Sequence, residues 1–220
     1  MQLQAERELV VAYGRKLVEA GLTTGTGGNL SVFRRDLNLI AISPSGMDYF
    51  QIRPEDVPLV SPDGRIVEGT RKPSSELSMH LALYRARPDV AAVVHTHSPF
   101  ATTLACLHWE IPPVHYLVAF SGKKVPVAPY ATYGTEALAA NAAQAAREAN
   151  AVLLANHGLV TVGRDLPQAF ATAEQVEFVA QIYYRTRCAG EPVLLTDEQM
   201  DDALARLATY GQQPQGGGVS

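Results

Sequence analysis

A chain of 220 residues that is 47% hydrophobic and 18% charged has apolar material for one sizeable core, which excludes a disordered, collagen-like or coiled-coil protein. Its 18 basic and 22 acidic residues leave a formal charge of −4, and basic residues cluster only in pairs such as Arg34-Arg35 and Lys123-Lys124, so neither nucleic acid nor an anionic membrane is expected as a partner. No apolar run approaches the roughly 20 residues of a membrane-spanning helix.

The opening segment, MQLQAERELVVAYGRKLVEAG, is charged from its first turns and repeats apolar positions (Leu9, Tyr13, Leu17) at helical spacing. It predicts an amphipathic helix over residues 3–20 ending at Gly21, and not a secretory signal. With only Cys106 and Cys188 in the chain there is no disulfide framework, and a reducing cytoplasm is expected. A glycine-rich turn, GLTTGTGGN, leads into LSVF and LNLIAIS, which flank Arg35-Asp36 as a hairpin. VPLV and RIVEG flank SPDG, whose Asp-Gly pair favours a second tight turn.

A helix is predicted from about Ser75 to Arg87, stopped before Pro88. DVAAVVHTH then reads as a buried strand, and Ser98-Pro99 restarts a helix with serine as N-cap and proline at the first position. A strand near VPVAP, an alanine-rich helix from about Thr135 to Asn150, and two short strands around the turn NHG in AVLLANHGLVTVG follow. Asp165 with Gln168, and Thr196 with Gln199, have the spacing of capping boxes and open the last two helices. Hairpin-joined strands with helices between them point to an α/β protein whose sheet is mixed and mainly antiparallel. One domain over residues 1–211 is expected, with the polar, glycine-rich residues 212–220 as a flexible tail.

Two histidines separated by Thr96 would share one face of a strand, their Cβ atoms about 6–7 Å apart. His95 and His97 are then able to converge on one ion at about 2.0–2.1 Å each, although the pair alone reads equally well as two hydrogen-bonded histidines. His157, at a turn after another apolar strand, is a candidate third donor. Three neutral imidazoles leave an ion its charge and an open position, the catalytic arrangement. His80 lies one helical turn past Glu76 and is expected to pack or hydrogen-bond locally. His108 and His115 read as surface residues, with His115 the reserve ligand.

Lys72-Pro73-Ser74-Ser75-Glu76 runs into a helix start, where free backbone N–H groups and hydroxyls make an anion site as well as an ordinary cap. Glu76 in that first turn is either a routine dipole partner or the movable proton acceptor a metal enzyme needs. GTGGN is not a dinucleotide fingerprint, because Leu30 stands where glycine is required and the segment precedes a strand. Gly122-Lys123-Lys124 lacks the rest of a P-loop.

Together GLTTGTGGNLSV, ISPSGMDY, KPSSE, VVHTHS, IPPVHY, APYATYGT, NHGLV and the terminal TYG, in this order over residues 5 to 211, make the sequence resemble the class II aldolase family. These are zinc-dependent sugar-phosphate aldolases and epimerases, related to adducin heads. The resemblance implies a three-layer α/β/α fold and a homotetramer with active sites between subunits. It implies one zinc per subunit, or another divalent transition metal, on His95, His97 and His157, with Glu76 as a resting fourth ligand that leaves to act as base and acid. Phosphate contacts fall on Gly28, Asn29, Ser45, Gly46, Ser74 and Ser75. Thr26 helps place the substrate, Tyr116 is a proton donor from a neighbouring subunit, and Tyr210 is the C-terminal tyrosine. Tyr133, where the fuculose branch has phenylalanine, lies in the region expected to hold the aldehyde.

The activity implied is reversible cleavage of a ketose 1-phosphate, L-fuculose 1-phosphate-like, to dihydroxyacetone phosphate and a lactaldehyde-like aldehyde through a zinc-stabilised enediolate. The alternatives are a methylthioribulose-1-phosphate-like dehydratase, a 4-epimerase, whose members carry aspartate where this chain has Glu76, and a silent adducin-like binding module.

Overall fold

Alternation of apolar side chains sorts eight strands into one sheet with a helical layer on each face. The computed structural model describes residues 1–209. The strands are β1 (Asn29–Arg34), β2 (Leu39–Ile42), β3 (Leu59–Val60), β4 (Ile66–Glu68), β5 (Ala92–Thr96), β6 (Val127–Ala128), β7 (Ala151–Leu154) and β8 (Gly158–Gly163). They hydrogen-bond in the order β4-β3-β2-β1-β5-β8-β7-β6, with every pairing antiparallel except the parallel β6–β7 edge. The expected mixed, mainly antiparallel sheet is therefore found, with β5 and β8 side by side near its middle.

The helices are α1 (Gln4–Glu19), α2 (Leu77–Ala86), α3 (Pro99–Leu107), α4 (Glu136–Ala145), α5 (Leu166–Ala189) and α6 (Asp197–Thr209). Leu30, Val32, Val94, Leu153 and Leu159 pack with α1, α3 and α5. Their sequence neighbours Phe33, Val93, Val152 and Val160 point the other way and pack with α2 and α4. The result is three layers. No helix among the described residues is long and apolar enough to cross a membrane.

Local chemistry explains most element ends. Helix α1 stops where Gly21 turns left-handed (φ 67), letting Leu22 N–H reach back to Leu17 O at 2.9 Å. The alanine-rich helix ends at Ala145, earlier than the expected Asn150. The Arg87 guanidinium donates to the carbonyls of Ala146 and Ala149, at 2.8 and 3.2 Å, and to Asn150 Oδ1 at 3.0 Å, fixing the following residues in a turn. Asp165 accepts from Gln168 N–H, but the Gln168 side chain bonds Arg164 N–H, one residue before the cap. Thr196 and Gln199 form the reciprocal pair expected of them.

Ser98 is the N-cap residue of α3, yet its side chain makes no cap bond. Instead the Glu177 carboxylate of α5 accepts from Phe100 and Ala101 N–H, both at 2.8 Å. A negative group on a helix N-terminus stabilises it through the same orphan donors a serine cap would serve. Replacing Glu177→Ala should lower stability by about 1–2 kcal/mol. Thermal unfolding would measure this, and an unchanged melting temperature would show that Ser98 or water caps the helix equally well.

Candidate active site

Strand β5 delivers His95 to the α2/α4 side of the sheet and ends at Thr96. His97 follows just past the strand, its N–H donating to Leu22 O at 3.1 Å. On the adjacent hairpin, β7 and β8 are joined by Ala155-Asn156-His157, with Asn156 in the left-handed region (φ 52) that asparagine tolerates best after glycine. Asn156 is fixed there by its N–H to Ala105 O at 3.2 Å and by His108 Nε2, which lies 2.6 Å from its Oδ1. Since β8 pairs with β5, the turn brings His157 over His95.

The three imidazoles meet. Ring centroids of His95 lie 4.8 Å from those of both His97 and His157, and ligand atoms from all three fall within 4.8 Å of one another. Glu76, the N-cap residue of α2, closes the cluster, with Oε2 3.1 Å from His95 Nε2 and Oε1 3.5 Å from His157 Nε2. His95 Nδ1 is 2.9 Å from Leu159 O, an acceptor only, so that nitrogen carries a hydrogen and Nε2 faces the cluster. The Nε2 atoms of His95 and His97 stand 3.0 Å apart.

The electrostatics suit a cation. Burial works against charge on Glu76, but attraction to His95 and His157 and hydrogen bonds from His95 and Asn29 outweigh it, holding the carboxyl well below the usual carboxylate range. Burial, together with the neighbouring imidazoles, lowers His97 to about 4; burial and His95 lower His157 to about 4, so both present lone pairs at neutral pH. Burial opposes charge on His95, and Glu76 more than compensates and raises it. Glu76 Oε1 is buried with no hydrogen-bond partner. An orphaned carboxylate oxygen facing three imidazoles is what a bound cation would satisfy, so the donor set fits a divalent metal.

Gly158 makes the convergence sterically feasible. A Cβ there would lie 2.4 Å from Thr96 O, 3.0 Å from His97 Cδ2 and 3.4 Å from His95 Cε1. The strand must pass this close for the three rings to share a centre.

Above the cluster opens a cavity of about 370 Å³. Thr26, Gly28, Asn29, Ser45, Gly46, Ser74, Ser75 and Tyr133, all singled out from the sequence, line it with Glu76, His97 and His157, while His95 lies buried behind them. The serine segments are drawn together by a short antiparallel bridge between Pro44 and Pro73, with Ser45 N–H bonded to Lys72 O and Ser74 N–H to Ser43 O. Ser74 Oγ accepts from Glu76 N–H, and Tyr49 OH donates to Gly28 O at 2.8 Å, steadying the glycine turn. No lysine or arginine lines this cavity among the described residues.

Other expected residues lie elsewhere. Tyr116 is exposed on a short 3₁₀ turn and lines a different groove with Leu195, Ala203 and Leu207. His115 stacks on Tyr116 and caps that turn instead of joining the cluster. Tyr210 lies outside the described residues. His80, expected to pack or hydrogen-bond locally, is fully buried on α2, and its hydrogen bonds go to Ser31 and Asn29 of β1. Tyr130 and Asn156 also line the cavity and were not anticipated, although both stand inside motifs read from the sequence, APYATYGT and NHG.

Comparison with known proteins decides the family. The model described as Class II Aldolase and Adducin N-terminal domain matches residues 8–184. The chain belongs to the class II aldolases. A 5-deoxy-D-ribulose 1-phosphate aldolase of Bacillus thuringiensis serovar kurstaki is 53% identical to it, over 97% of the chain and 100% of that protein. A 5-methylthioribulose-1-phosphate/5-deoxyribulose-1-phosphate aldolase of Rhodospirillum rubrum is 41% identical, over 96% and 95%. Among solved structures, an L-fuculose 1-phosphate aldolase superposes with a TM-score of 0.91 at 48% identity, covering 93% of this chain and 96% of that one. Like these relatives the aldolase is a lyase, and the three histidines supply the kind of site the metal-dependent family requires.

Substituting Gly158→Ala in this aldolase should weaken metal binding by about 10–100-fold, since it displaces both flanking ligands. Metal content per chain after dialysis reports this, and wild-type content would mean that the close passage at Gly158 is not needed for metal binding.

Proposed function

We propose that this aldolase reversibly cleaves a methyl-terminated (terminally deoxygenated) ketose 1-phosphate into dihydroxyacetone phosphate and a short aldehyde. The supporting observation is the placement of Glu76, His97 and His157, with His95 behind them, on the floor of a cavity lined by serine hydroxyls and the glycine turn. The relatives name both 5-deoxyribulose 1-phosphate and L-fuculose 1-phosphate. The greater identity to the former makes 5-deoxy-D-ribulose 1-phosphate the first candidate and the fuculose sugar the second.

His95, His97 and His157 hold the metal, with zinc the first candidate for such a three-nitrogen set and Glu76 the resting fourth ligand. When bound, the ion supplies Lewis-acid stabilisation for negative charge that gathers on the carbonyl and hydroxyl oxygens of the substrate. Gly28, Asn29, Ser45, Gly46, Ser74 and Ser75 grip the phosphate through dipoles and hydroxyls, with no fixed positive charge. Thr26 orients the sugar. When the C3–C4 bond breaks, the C4 hydroxyl passes its proton through the aldehyde-side tyrosine to solvent, that oxygen becomes the aldehyde carbonyl, and the bonding pair moves toward the C2 carbonyl, while Glu76, a carboxylate at rest, takes up one proton from solvent. Carbon 3 then takes a proton from Glu76, a transfer typically worth about 10²–10⁴-fold in rate.

The rings of Tyr130 and Tyr133, both largely exposed at the cavity mouth, face the departing aldehyde and suit a methyl-ended one. Tyr116, away from its own chain's cavity, serves the aldehyde side of a neighbouring subunit in a homotetramer, and Tyr210 acts in catalysis as the family resemblance implies. The free thiols of Cys106 and Cys188 fit a reducing cytoplasm.

The test is release of dihydroxyacetone phosphate from a panel of ketose 1-phosphates by metal-loaded protein, with Glu76→Gln alongside. Wild-type protein should release it from 5-deoxyribulose 1-phosphate. The variant should bind metal and phosphate but turn over at least about 10²-fold more slowly. Consumption of substrate without the triose would turn the assignment to a dehydratase or epimerase.

A further inference from the structure

A chain of buried polar groups runs from Glu76 into the core beneath it, and the proton-transfer scheme does not use it. Asn29 Nδ2 donates to Glu76 Oε2 at 2.9 Å. Asn29 Oδ1 lies 2.6 Å from His80 Nε2, His80 Nδ1 lies 2.7 Å from Ser31 Oγ, and Ser31 Oγ lies 2.7 Å from Tyr84 OH. His80 and Ser31 are fully buried, and Asn29, Tyr84 and Glu76 nearly so.

Hydrogen-bonding rules leave this chain one sense. The amide nitrogen must face the carboxylate, because an amide oxygen there would repel it, so Oδ1 faces His80. His80 Nε2 must then carry the hydrogen. Burial lowers His80 to about 3, so the ring is neutral and Nδ1 accepts, which makes Ser31 the donor. Ser31 Oγ in turn accepts from Tyr84, whose phenol burial keeps protonated. Every donor points toward Glu76. An amide in the middle of the chain cannot pass protons along as a hydroxyl or imidazole would, so the chain fixes a geometry and is not a relay.

The two oxygens of Glu76 are therefore unequal. Oε2 is held by Asn29 and lies beside His95, whereas Oε1 has no hydrogen-bond partner and faces His157, a cavity-lining residue. We propose that His80 is a positioning residue that locks the Asn29 amide in one orientation, anchoring Glu76 through Oε2 and leaving Oε1 to exchange protons with substrate. This rests on the reading of Glu76 as the proton carrier. It also gives the side chain of Asn29 a task beyond phosphate binding, since one amide hydrogen is committed to Glu76 and the second remains for a ligand.

Three substitutions in the full-length, zinc-loaded enzyme test the lock. His80→Gln brings an amide N–H to the place of Nε2, His80→Asn reaches only the place of Nδ1, and His80→Phe fills the volume and donates nothing. The expected result is kcat within about threefold of wild type for His80→Gln and a loss of about 10–100-fold for the other two. KM and metal per chain should change much less than kcat. Equal kcat in His80→Gln and His80→Phe, or a loss that tracks metal content or melting temperature across all three, would overturn the proposal in favour of a purely structural histidine.

A readout independent of activity is the nitrogen-15 spectrum of histidine-labelled wild-type protein. Long-range proton couplings should identify His80 as the Nε2–H tautomer, and an Nδ1–H signal would overturn the lock. That spectrum does not depend on the chemistry of Glu76. A fully active Glu76→Gln variant would remove the proton-carrier reading while leaving the tautomer result standing.

Discussion

A carboxylate taken out of water beside three imidazoles loses its hydration, and unless something replaces it the penalty runs to several kcal/mol. In this aldolase the replacement is built from several sides: His95 beside one oxygen of Glu76, an amide N–H from Asn29 on the same oxygen, and the His157 ring facing the other. The surrounding fold keeps that arrangement rigid. Antiparallel pairing of β5 with β8 sets the spacing between His95 and the His157 turn, and α2, beginning at Glu76, is packed against the same face by Met79, Leu83 and Tyr84. Loosening any of these would expose charge to solvent or separate the donors.

The sheet order also explains why the site lies where it does. The glycine turn enters β1, α2 begins after the bridge between Pro44 and Pro73, and β5 and the β7–β8 turn end at the same edge of the sheet. Segments far apart in sequence thus contribute one or two atoms each to a single cavity. Strand β5 holds His95 inside the sheet, and segments at strand and helix ends carry His97, His157, Glu76 and the hydroxyls.

Much of this was legible from residue order. Strand and helix periodicity gave the layers, and the HTH spacing, the NHG turn and KPSSE named the three histidines that converge and the carboxylate beside them. What stayed hidden depends on contacts between distant segments. The Glu177 cap on α3 is invisible locally, because a serine in the right place reads as the cap. The early end of α4 is imposed by Arg87 from another helix. His80 looked like an ordinary core residue, since nothing in LSMHLALYR says that Asn29, from a strand 51 positions earlier, will meet its ring. Tyr116, by contrast, was placed outside its own cavity by resemblance alone; no spacing along the chain could have told which copy's site it serves.

The tight passage of β8 beside β5 has a practical corollary for anyone retuning which aldehydes this catalyst accepts. The walls divide into two kinds of ground. Around Gly158 even one added carbon collides with the peptide oxygen of Thr96, so substitutions there would first displace the flanking imidazoles. Tyr130 and Tyr133 stand at the mouth, 59% and 67% exposed, where a change of size or polarity meets far less of the packed core. Selectivity in this scaffold can therefore evolve at the rim while the floor stays fixed.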